Sequence, residues 1–162
     1  MQLFVIRHAI AEDRSPDLDD AARELTDEGV AKMKQIVRGL RAQGVELARV
    51  LTSPWERALA TAKLLAPVTD GAPISTDLLC QPPRAELLAM IAEGGEPTAV
   101  VGHQPWLGEL VAWLAFGDAR HGEALALKKG SVVELEGSVV PGGMSVRAIL
   151  QPRVLRRLAR KR

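Results

Sequence analysis

Cysteine and aromatic residues are scarce in this chain of 162 residues, and the scarcity of cysteine excludes whole classes of site. Cys80 is the only cysteine, so an intramolecular disulfide and a cysteine-based zinc cluster are both impossible. We expect Cys80 to be a small buried hydrophobic residue rather than a reactive thiol. Tyrosine is absent, and the aromatic residues are two phenylalanines and three tryptophans.

Long apolar runs are missing as well. Apolar stretches such as residues 3–6 and 107–116 are far shorter than the roughly 20 residues that a membrane-spanning helix needs. The N-terminus enters a strand-like segment directly, without the basic and apolar stretches of a secretory signal. These absences predict a protein that does not cross a membrane and acts in the cytoplasm. With 47% hydrophobic and 25% charged residues, the composition predicts one globular domain.

The formal net charge of +1 conceals an asymmetry. Six of the 21 basic residues lie in residues 153–162, so residues 1–152 carry 15 basic and 20 acidic side chains, a net charge of −5. A basic segment can contact nucleic acid or a membrane surface, but this one lacks aromatic residues and follows an acidic body, so we predict neither partner. We assign residues 1–152 to the domain and 153–162 to a basic C-terminal tail. Val154, Leu155 and Leu158 in that tail have the helix-like spacing that docking on the domain would require.

Strand-like and helix-like segments alternate along the chain. Residues 2–6 are continuously apolar, as in a strand buried on both faces of a parallel sheet. Thr26 is a suitable N-cap for an amphipathic helix over residues 27–43, and Gly44 is a suitable stop. Further strands are predicted at 45–52, 98–101, 131–135 and 144–150, and further helices at 54–66, 84–93 and 105–116. This alternation predicts an α/β fold with helices on both faces of the sheet.

Three of the predicted strands end in arginine, histidine or serine residues. Arg7 and His8 follow the first strand, Ser53 and Arg57 the second, and His103 the third of these. Ligands of α/β sheets bind beyond the carboxyl ends of the strands, so we expect these groups to form one pocket. Two arginines and two histidines would make that pocket cationic enough for a dianionic phosphoryl group.

Each of these residues also has a purely structural interpretation, but the joint placement of four such groups favours a functional site. A neutral His8 would attack phosphorus and form a covalent phosphohistidine, provided that an acceptor fixes its other ring nitrogen. His103, protonated or at least donating, would help Arg7 and Arg57 to neutralise the transferring group. We expect His121, which lies in a charged loop, to be solvated.

The motifs around these residues resemble those of a known family. They are Arg7-His8-Ala9, Leu25-Thr26-x-x-Gly29, Ser53-Pro54-x-x-Arg57-Ala58-x-x-Thr61-Ala62 and Gly102-His103. In this order they resemble the histidine phosphatase superfamily and, more closely, the short SixA-type phosphohistidine phosphatases. The resemblance extends over nearly the whole chain and implies a phosphoglycerate mutase-like fold, a three-layer sandwich with a mainly parallel central sheet. It also implies that His8 is the nucleophile, that Arg7, Arg57 and His103 bind the phosphate, and that no metal or organic cofactor takes part.

This chain departs from the family pattern at two points. Ala9 stands where the commonest form of the motif has glycine, and we expect it to have an ordinary, negative φ. Relatives that hydrolyse phosphate esters carry a glutamate that protonates the leaving oxygen, and in the matching region, residues 78–86, only Glu86 is acidic. We expect Glu86 to lie on a solvated helix face, and Glu12 and Asp13 in the first loop are weaker candidates for the acid.

The missing acid decides between substrates. Without it, an ordinary phosphate ester would react more slowly by on the order of a hundred- to ten-thousand-fold. A phosphohistidine would suffer less, because imidazole is a better leaving group than an alkoxide. We therefore predict a phosphohistidine phosphatase that acts on a phosphorylated signalling or phosphotransfer protein through a phospho-His8 intermediate. Two alternatives stay open: a small-metabolite phosphomonoesterase that uses Glu86 or a loop carboxylate as its acid, and a phosphate-binding module without turnover.

Overall fold

A six-stranded sheet lies at the centre of the computed structural model, which describes residues 1–94 and 96–160. The strands are β1 (Gln2–Arg7), β2 (Arg49–Thr52), β3 (Ile74–Ser75), β4 (Thr98–Gly102), β5 (Val132–Gly137) and β6 (Met144–Leu150). The helices are α1 (Asp27–Ala42), α2 (Glu56–Lys63), α3 (Ala85–Ala92), α4 (Trp106–Phe116) and α5 (Pro152–Leu158). Short 3-10 helices lie at Asp20–Ala22, Ala66–Val68, Asp77–Leu79 and Ala119–Ala124.

The sheet has the strand order β3-β2-β4-β1-β5-β6. The first four strands of this order are parallel to one another, whereas β5 pairs antiparallel to β1 and β6 antiparallel to β5. Alternate residues of a strand point to opposite faces of the sheet, and helices cover the apolar side chains on both faces. Leu3 and Val5 pack in one core cluster with residues of α3 and α4, and Phe4 and Ile6 pack in a second with residues of α1, α2 and α5. The predicted α/β fold, a three-layer sandwich with a mainly parallel sheet, is confirmed.

Some of the observed strands differ from the predicted ones. The second strand covers only Arg49–Thr52 of the predicted residues 45–52, because pairing with β4 begins at Arg49. The two-residue β3 was not predicted, since Ile74 and Ser75 are both exposed and carry no alternating pattern. No helix within the described residues is long and apolar enough to cross a membrane.

The basic C-terminal segment forms a helix that packs on the domain. The predicted domain boundary at residue 152 coincides with the first residue of α5, and Leu155 in this helix is 0% exposed. Leu158 is partly buried in the same cluster, whereas Val154 is exposed. α5 lies so close to α1 that a Cβ at Gly39 would clash with the Leu155 carbonyl oxygen. Of the predicted tail, residues 161 and 162 lie outside the described part of the chain.

The parallel strands place the predicted site residues at one edge of the sheet. β1 and β2 both pair in parallel with β4, and Arg7 lies opposite Gly102 while Thr52 lies opposite Val101. The residues that follow these three strands therefore share the carboxyl edge. The start of α1 is tied to the same edge, because Thr26 N–H donates to the Ile10 carbonyl oxygen at 3.1 Å and a Cβ at Gly29 would clash with that oxygen.

Candidate active site

His8 follows β1 directly and is 4% exposed. Its Nδ1 lies 2.7 Å from the Ala9 carbonyl oxygen, which can only accept, so Nδ1 carries the proton. Nε2 therefore keeps its lone pair and accepts a hydrogen bond from Arg57 Nε at 3.3 Å. Burial above all, together with the charges of Arg57, Arg7 and Lys129, lowers the pKa of His8 to about 3 against the opposing effect of the Ala9 carbonyl. The ring is neutral near pH 7, the form in which imidazole is a nucleophile.

Thr61 connects the backbone after His8 to α2. Its hydroxyl accepts from Ala9 N–H at 3.0 Å and donates to the Arg57 carbonyl oxygen at 2.7 Å, and the side chain is 0% exposed. The expected negative φ of Ala9 is confirmed, since no described residue other than glycine has a positive φ. Thr61 thus holds the His8 segment and the first turn of α2 in one arrangement.

Arg57, in the first turn of α2, is 3% exposed and has three polar contacts. Besides the bond to His8, Nη1 donates to the Asp20 carbonyl oxygen at 2.5 Å and Nη2 pairs with Asp20 Oδ2 at 3.1 Å. Partial burial of Asp20 favours its neutral form, but the charges of Arg57 and Arg23 together hold the pKa of this carboxyl group below its usual value. Asp20 therefore orients Arg57 as an ionised carboxylate.

Asp20 was not predicted from the sequence as a site residue. It lies in the loop over residues 11–24, where other acidic residues occur at similar density, and its partner is 37 positions away. No local pattern distinguishes it from its neighbours in the loop.

Arg7 ends β1 on the other side of His8. Its Nη1 donates to the Leu127 carbonyl oxygen at 2.6 Å, and its Nε is buried without a hydrogen-bond partner among the described residues. Burial and the charge of Arg57 lower the pKa of Arg7, so the two guanidinium groups are close enough to repel each other. An anion between them would relieve that repulsion.

His103 follows β4, is 3% exposed, and has its ring centroid 5.3 Å from that of His8. Its Nε2 lies 2.8 Å from Ser53 Oγ, and Nδ1 is buried without a hydrogen-bond partner in the described part of the chain. Burial above all, together with His8 and Arg57, lowers the pKa of His103 to about 3 against the opposing charge of Asp20. Of the two predicted forms of His103, the protonated ring is thus disfavoured. The neutral ring, which still donates one N–H, is compatible with this structure.

Ser53, which contacts His103, has two further hydrogen-bonding neighbours, Trp55 and Cys80. Ser53 Oγ accepts from Trp55 N–H at 3.1 Å and lies 3.1 Å from Cys80 Sγ. Cys80 is half-buried, and burial raises the pKa of its thiol, so it is a neutral hydrogen-bonding group. It is less buried than expected from the sequence.

Trp55 and Trp106 line the pocket beside His103, and we call this pair the tryptophan wall. Their ring centroids lie 4.5 and 6.2 Å from that of His103 and 5.9 Å from each other. The Arg57 guanidinium carbon lies 4.8 Å from the centroid of the Trp55 ring. Both indoles are half-buried, so each keeps an accessible surface beside His103. The wall was also missed, although each tryptophan directly follows a proline just after a site strand.

The other candidates from the sequence lie apart from these groups. Glu86 is exposed in the first turn of α3, and Glu12 and Asp13 are exposed in the first loop. Among the described residues, no hydrogen bond or ion pair connects any of these three carboxylates to the four pocket residues. His121 is exposed, as expected. Residues 1–94 and 96–160 contain no group of three or more histidine, cysteine, aspartate or glutamate side chains arranged to hold a metal ion.

Comparisons with known proteins agree with this geometry. Residues 3–79 match the family model described as the histidine phosphatase superfamily (branch 1). The chain is 38% identical over 142 residues to an uncharacterized protein of Picosynechococcus, covering 83% of this chain and 84% of that one. It is 34% identical over 129 residues to the phosphohistidine phosphatase SixA of Escherichia coli, covering 73% of this chain and 76% of that one. The structure of the protein histidine phosphatase SixA complexed with tungstate matches with a TM-score of 0.79 and 26% identity, covering 96% of this chain and 99% of that chain.

Proposed function

The chain belongs to the histidine phosphatase superfamily and is a phosphatase, and we propose that its substrate is a phosphohistidine on a cytoplasmic signalling or phosphotransfer protein. In this proposal His8 is the nucleophile, and Arg7, Arg57 and His103 hold the phosphoryl group. The similarity to a phosphohistidine phosphatase supports this substrate class.

The proposed reaction has two steps. His8 Nε2 attacks phosphorus in line, a bond forms between Nε2 and phosphorus, and the bond between phosphorus and the substrate imidazole breaks with its electron pair going to the leaving nitrogen. Arg7, Arg57 and an N–H of His103 stabilise the charge on the equatorial oxygens. Water then attacks the phospho-His8 intermediate, which releases inorganic phosphate and restores the neutral ring.

The observation that carries the proposal is the ion pair between Asp20, the carboxyl group beside the site, and Arg57. Asp20, the carboxyl group bonded to Arg57, is held ionised and so cannot supply a proton to a leaving oxygen near pH 7. An alkyl phosphate needs that proton, whereas a phosphoimidazole can depart as a neutral ring when its distal nitrogen is protonated. The pocket therefore favours a nitrogen leaving group.

The tryptophan wall supports the same substrate class. A planar imidazole that leaves from phosphorus can stack on Trp55 or Trp106, since aromatic pairs are stable at centroid distances of about 4.5–7 Å. Half-buried indoles at the edge of the pocket also provide a surface for the protein that carries the phosphohistidine.

A turnover series tests the proposal. We expect kcat/KM to be high for a phosphohistidine peptide, lower for aryl phosphates and lowest for alkyl phosphates, and a chelator should change none of these values. Rapid acid-free quenching should trap a phosphoenzyme that is stable in alkali and labile in acid. Equal efficiency on alkyl phosphates would favour the small-metabolite phosphomonoesterase, and phosphate binding without turnover would favour the binding module.

A further inference from the structure

A second cationic cavity lies next to the active site. It has a volume of about 380 Å³ and lies between the end of β1, α1, the segment over residues 128–130 and α5. Apolar side chains line part of it, among them the half-buried Ile10 and Pro152. Its charged lining consists of five cationic side chains: Arg7, Lys32, Lys128, Lys129 and Arg156.

The donors in this cavity are poorly matched by acceptors. No carboxylate lines it within the described residues. Just outside the lining, the exposed Glu28 pairs with Lys32, and the pKa of Glu28 is lowered by its hydrogen bond to Lys32 and by the charges of Lys32 and, more weakly, Arg156. The Nε atoms of Arg7 and Arg156 are both buried and have no hydrogen-bond partner in the described ranges. A buried donor without an acceptor is costly, and a charged one more so. A bound anion would satisfy both guanidinium groups and reduce the repulsion among the five cations.

The cavity adjoins the active-site residues and shares Arg7 with them. Ala9 directly follows His8 and lines the cavity, and the charge of Lys129 reaches His8 strongly enough to lower its pKa. A group bound in the cavity is therefore a close neighbour of the phosphoryl group on His8. This favours two parts of one substrate molecule over an independent ligand.

From this geometry we infer that the cavity is a substrate subsite for a carboxylate on a short apolar stem. The residue that fits this chemistry is an acidic side chain, glutamate above all, close to the phosphohistidine of the protein substrate. Its methylene groups would contact Ile10 and Pro152, which are half-buried, and its carboxylate would accept from Arg7, Arg156 and the lysines. The inference rests on the proposed function and adds a sequence preference to it.

Matched phosphohistidine peptides test the subsite. Each pair carries glutamate or glutamine at one position, scanned over four residues on either side of the phosphohistidine. For at least one position we expect wild-type kcat/KM to favour glutamate by about tenfold, the size of one charged hydrogen bond. Arg156→Gln and Lys128→Gln should bring that ratio close to one, and Arg156→Lys should restore part of it.

Arg38→Gln is the matched control, because it removes one positive charge from α1 beside a different cavity. It should keep the wild-type ratio, and circular dichroism with thermal unfolding checks that every variant folds. Turnover of the glutamine peptides reports on the proposed function, whereas the ratio reports on the subsite, so the two failures are distinguishable.

Three results would overturn the inference. One is a wild-type ratio near one at every position, and another is a ratio that survives both Arg156→Gln and Lys128→Gln. The third uses free hexanoate as a carboxylate probe. If hexanoate alters turnover of the glutamine peptides while glutamate gives no advantage, the cavity binds a separate effector rather than the substrate.

Discussion

The interior of the pocket and its rim are built in different ways. His8, Arg57 and His103 form the interior, each less than 5% exposed and located at a strand end or in the first turn of a helix. The rim consists of Asp20, whose side chain is 34% exposed, and the tryptophan wall. Asp20 begins a short 3-10 helix in the first loop, Trp55 lies directly before α2, and Trp106 is the first residue of α4. His8 is held by the Ala9 carbonyl oxygen and by Arg57, and His103 by the Ser53 hydroxyl. The more exposed rim groups contact Arg57 and His103.

This difference separates the chemistry from the choice of substrate. In the proposed function, groups fixed by the sheet edge hold every phosphoryl group in the same way, so their loss should affect all substrates. Asp20 acts through Arg57 and so belongs with them in its effect, whereas the tryptophan wall would meet the part of the substrate that leaves, so its loss should affect substrates unequally. Changes at the two places should therefore be distinguishable by the pattern of their effects as well as by the size.

The largest effect is expected for His8→Ala in the interior. Because the covalent step loses its nucleophile, turnover should fall by at least about a thousandfold on every accepted substrate, and no phosphoenzyme should form. Circular dichroism should show an intact fold. Substantial activity of this variant would exclude nucleophilic catalysis by His8.

Acid should lower the free energy of unfolding through the two interior histidines. The pKa of His8 and that of His103 are each about 3 in the folded protein against 6.5 for an ordinary histidine, so the unfolded chain binds two more protons between these values. Stability should therefore fall as the pH drops below 6.5, by about 3 kcal/mol per pH unit. Urea unfolding at several pH values above 5 measures this slope.

His103→Gln provides the comparison for that measurement. It removes one of the two groups and should reduce the slope by about half, since each proton contributes about 1.4 kcal/mol per pH unit. A stability that does not change between pH 6.5 and 5 would mean that the buried histidines are not held neutral.

Asp20→Asn tests how the rim acts on the interior. The amide keeps the shape of the side chain and leaves the backbone carbonyl contact to Arg57 intact, but it removes the ion pair. We expect kcat/KM to fall about fivefold on all substrates, because a partly exposed pair contributes up to about 1 kcal/mol. Asp17→Asn in the same exposed loop is the control. A selective loss of activity on alkyl phosphates would instead identify Asp20 as a general acid.

Trp106→Ala should have a smaller and selective effect. One aromatic contact is worth about 0.5–1.5 kcal/mol, so we expect kcat/KM to fall about threefold for phosphohistidine and aryl phosphates. Alkyl phosphates should be unaffected, because they have no ring to stack. Phe116→Ala, at the exposed far end of the same helix, is the matched control. An equal loss on alkyl substrates would show that the indole only supports the fold.

Glu86→Gln should have the smallest effect. The side chain is exposed on α3 and, in the part of the chain that the structure describes, has no hydrogen bond or ion pair with Arg7, His8, Arg57 or His103. We therefore expect kcat/KM to change less than about twofold on each substrate, within the usual range for a surface substitution. A steady-state comparison on aryl and alkyl phosphates measures it. Selective loss of alkyl phosphate turnover would restore the metabolite-phosphatase alternative.

The interior was accessible from the sequence, and the rim was not. A strand buried on both faces is continuously apolar, so the ends of β1 and β4 could be located, and with them His8 and His103. Thr61 and Arg57 belong to a motif with fixed helical spacing. Asp20, Trp55 and Trp106 act through partners distant in sequence, and such pairing leaves no periodic trace in a single chain.

By itself, the sequence determined the parallel arrangement of the strands that carry the site and the identity of the groups at their carboxyl ends. Hydrophobic patterning is local, and the direction of parallel strands follows from their helical connections. Only the tertiary structure decided that both histidines are neutral, that Asp20 is ionised against Arg57, and that α5 closes a cationic cavity beside the pocket. Protonation depends on burial and on charges a few ångströms away, and both are properties of the packed molecule.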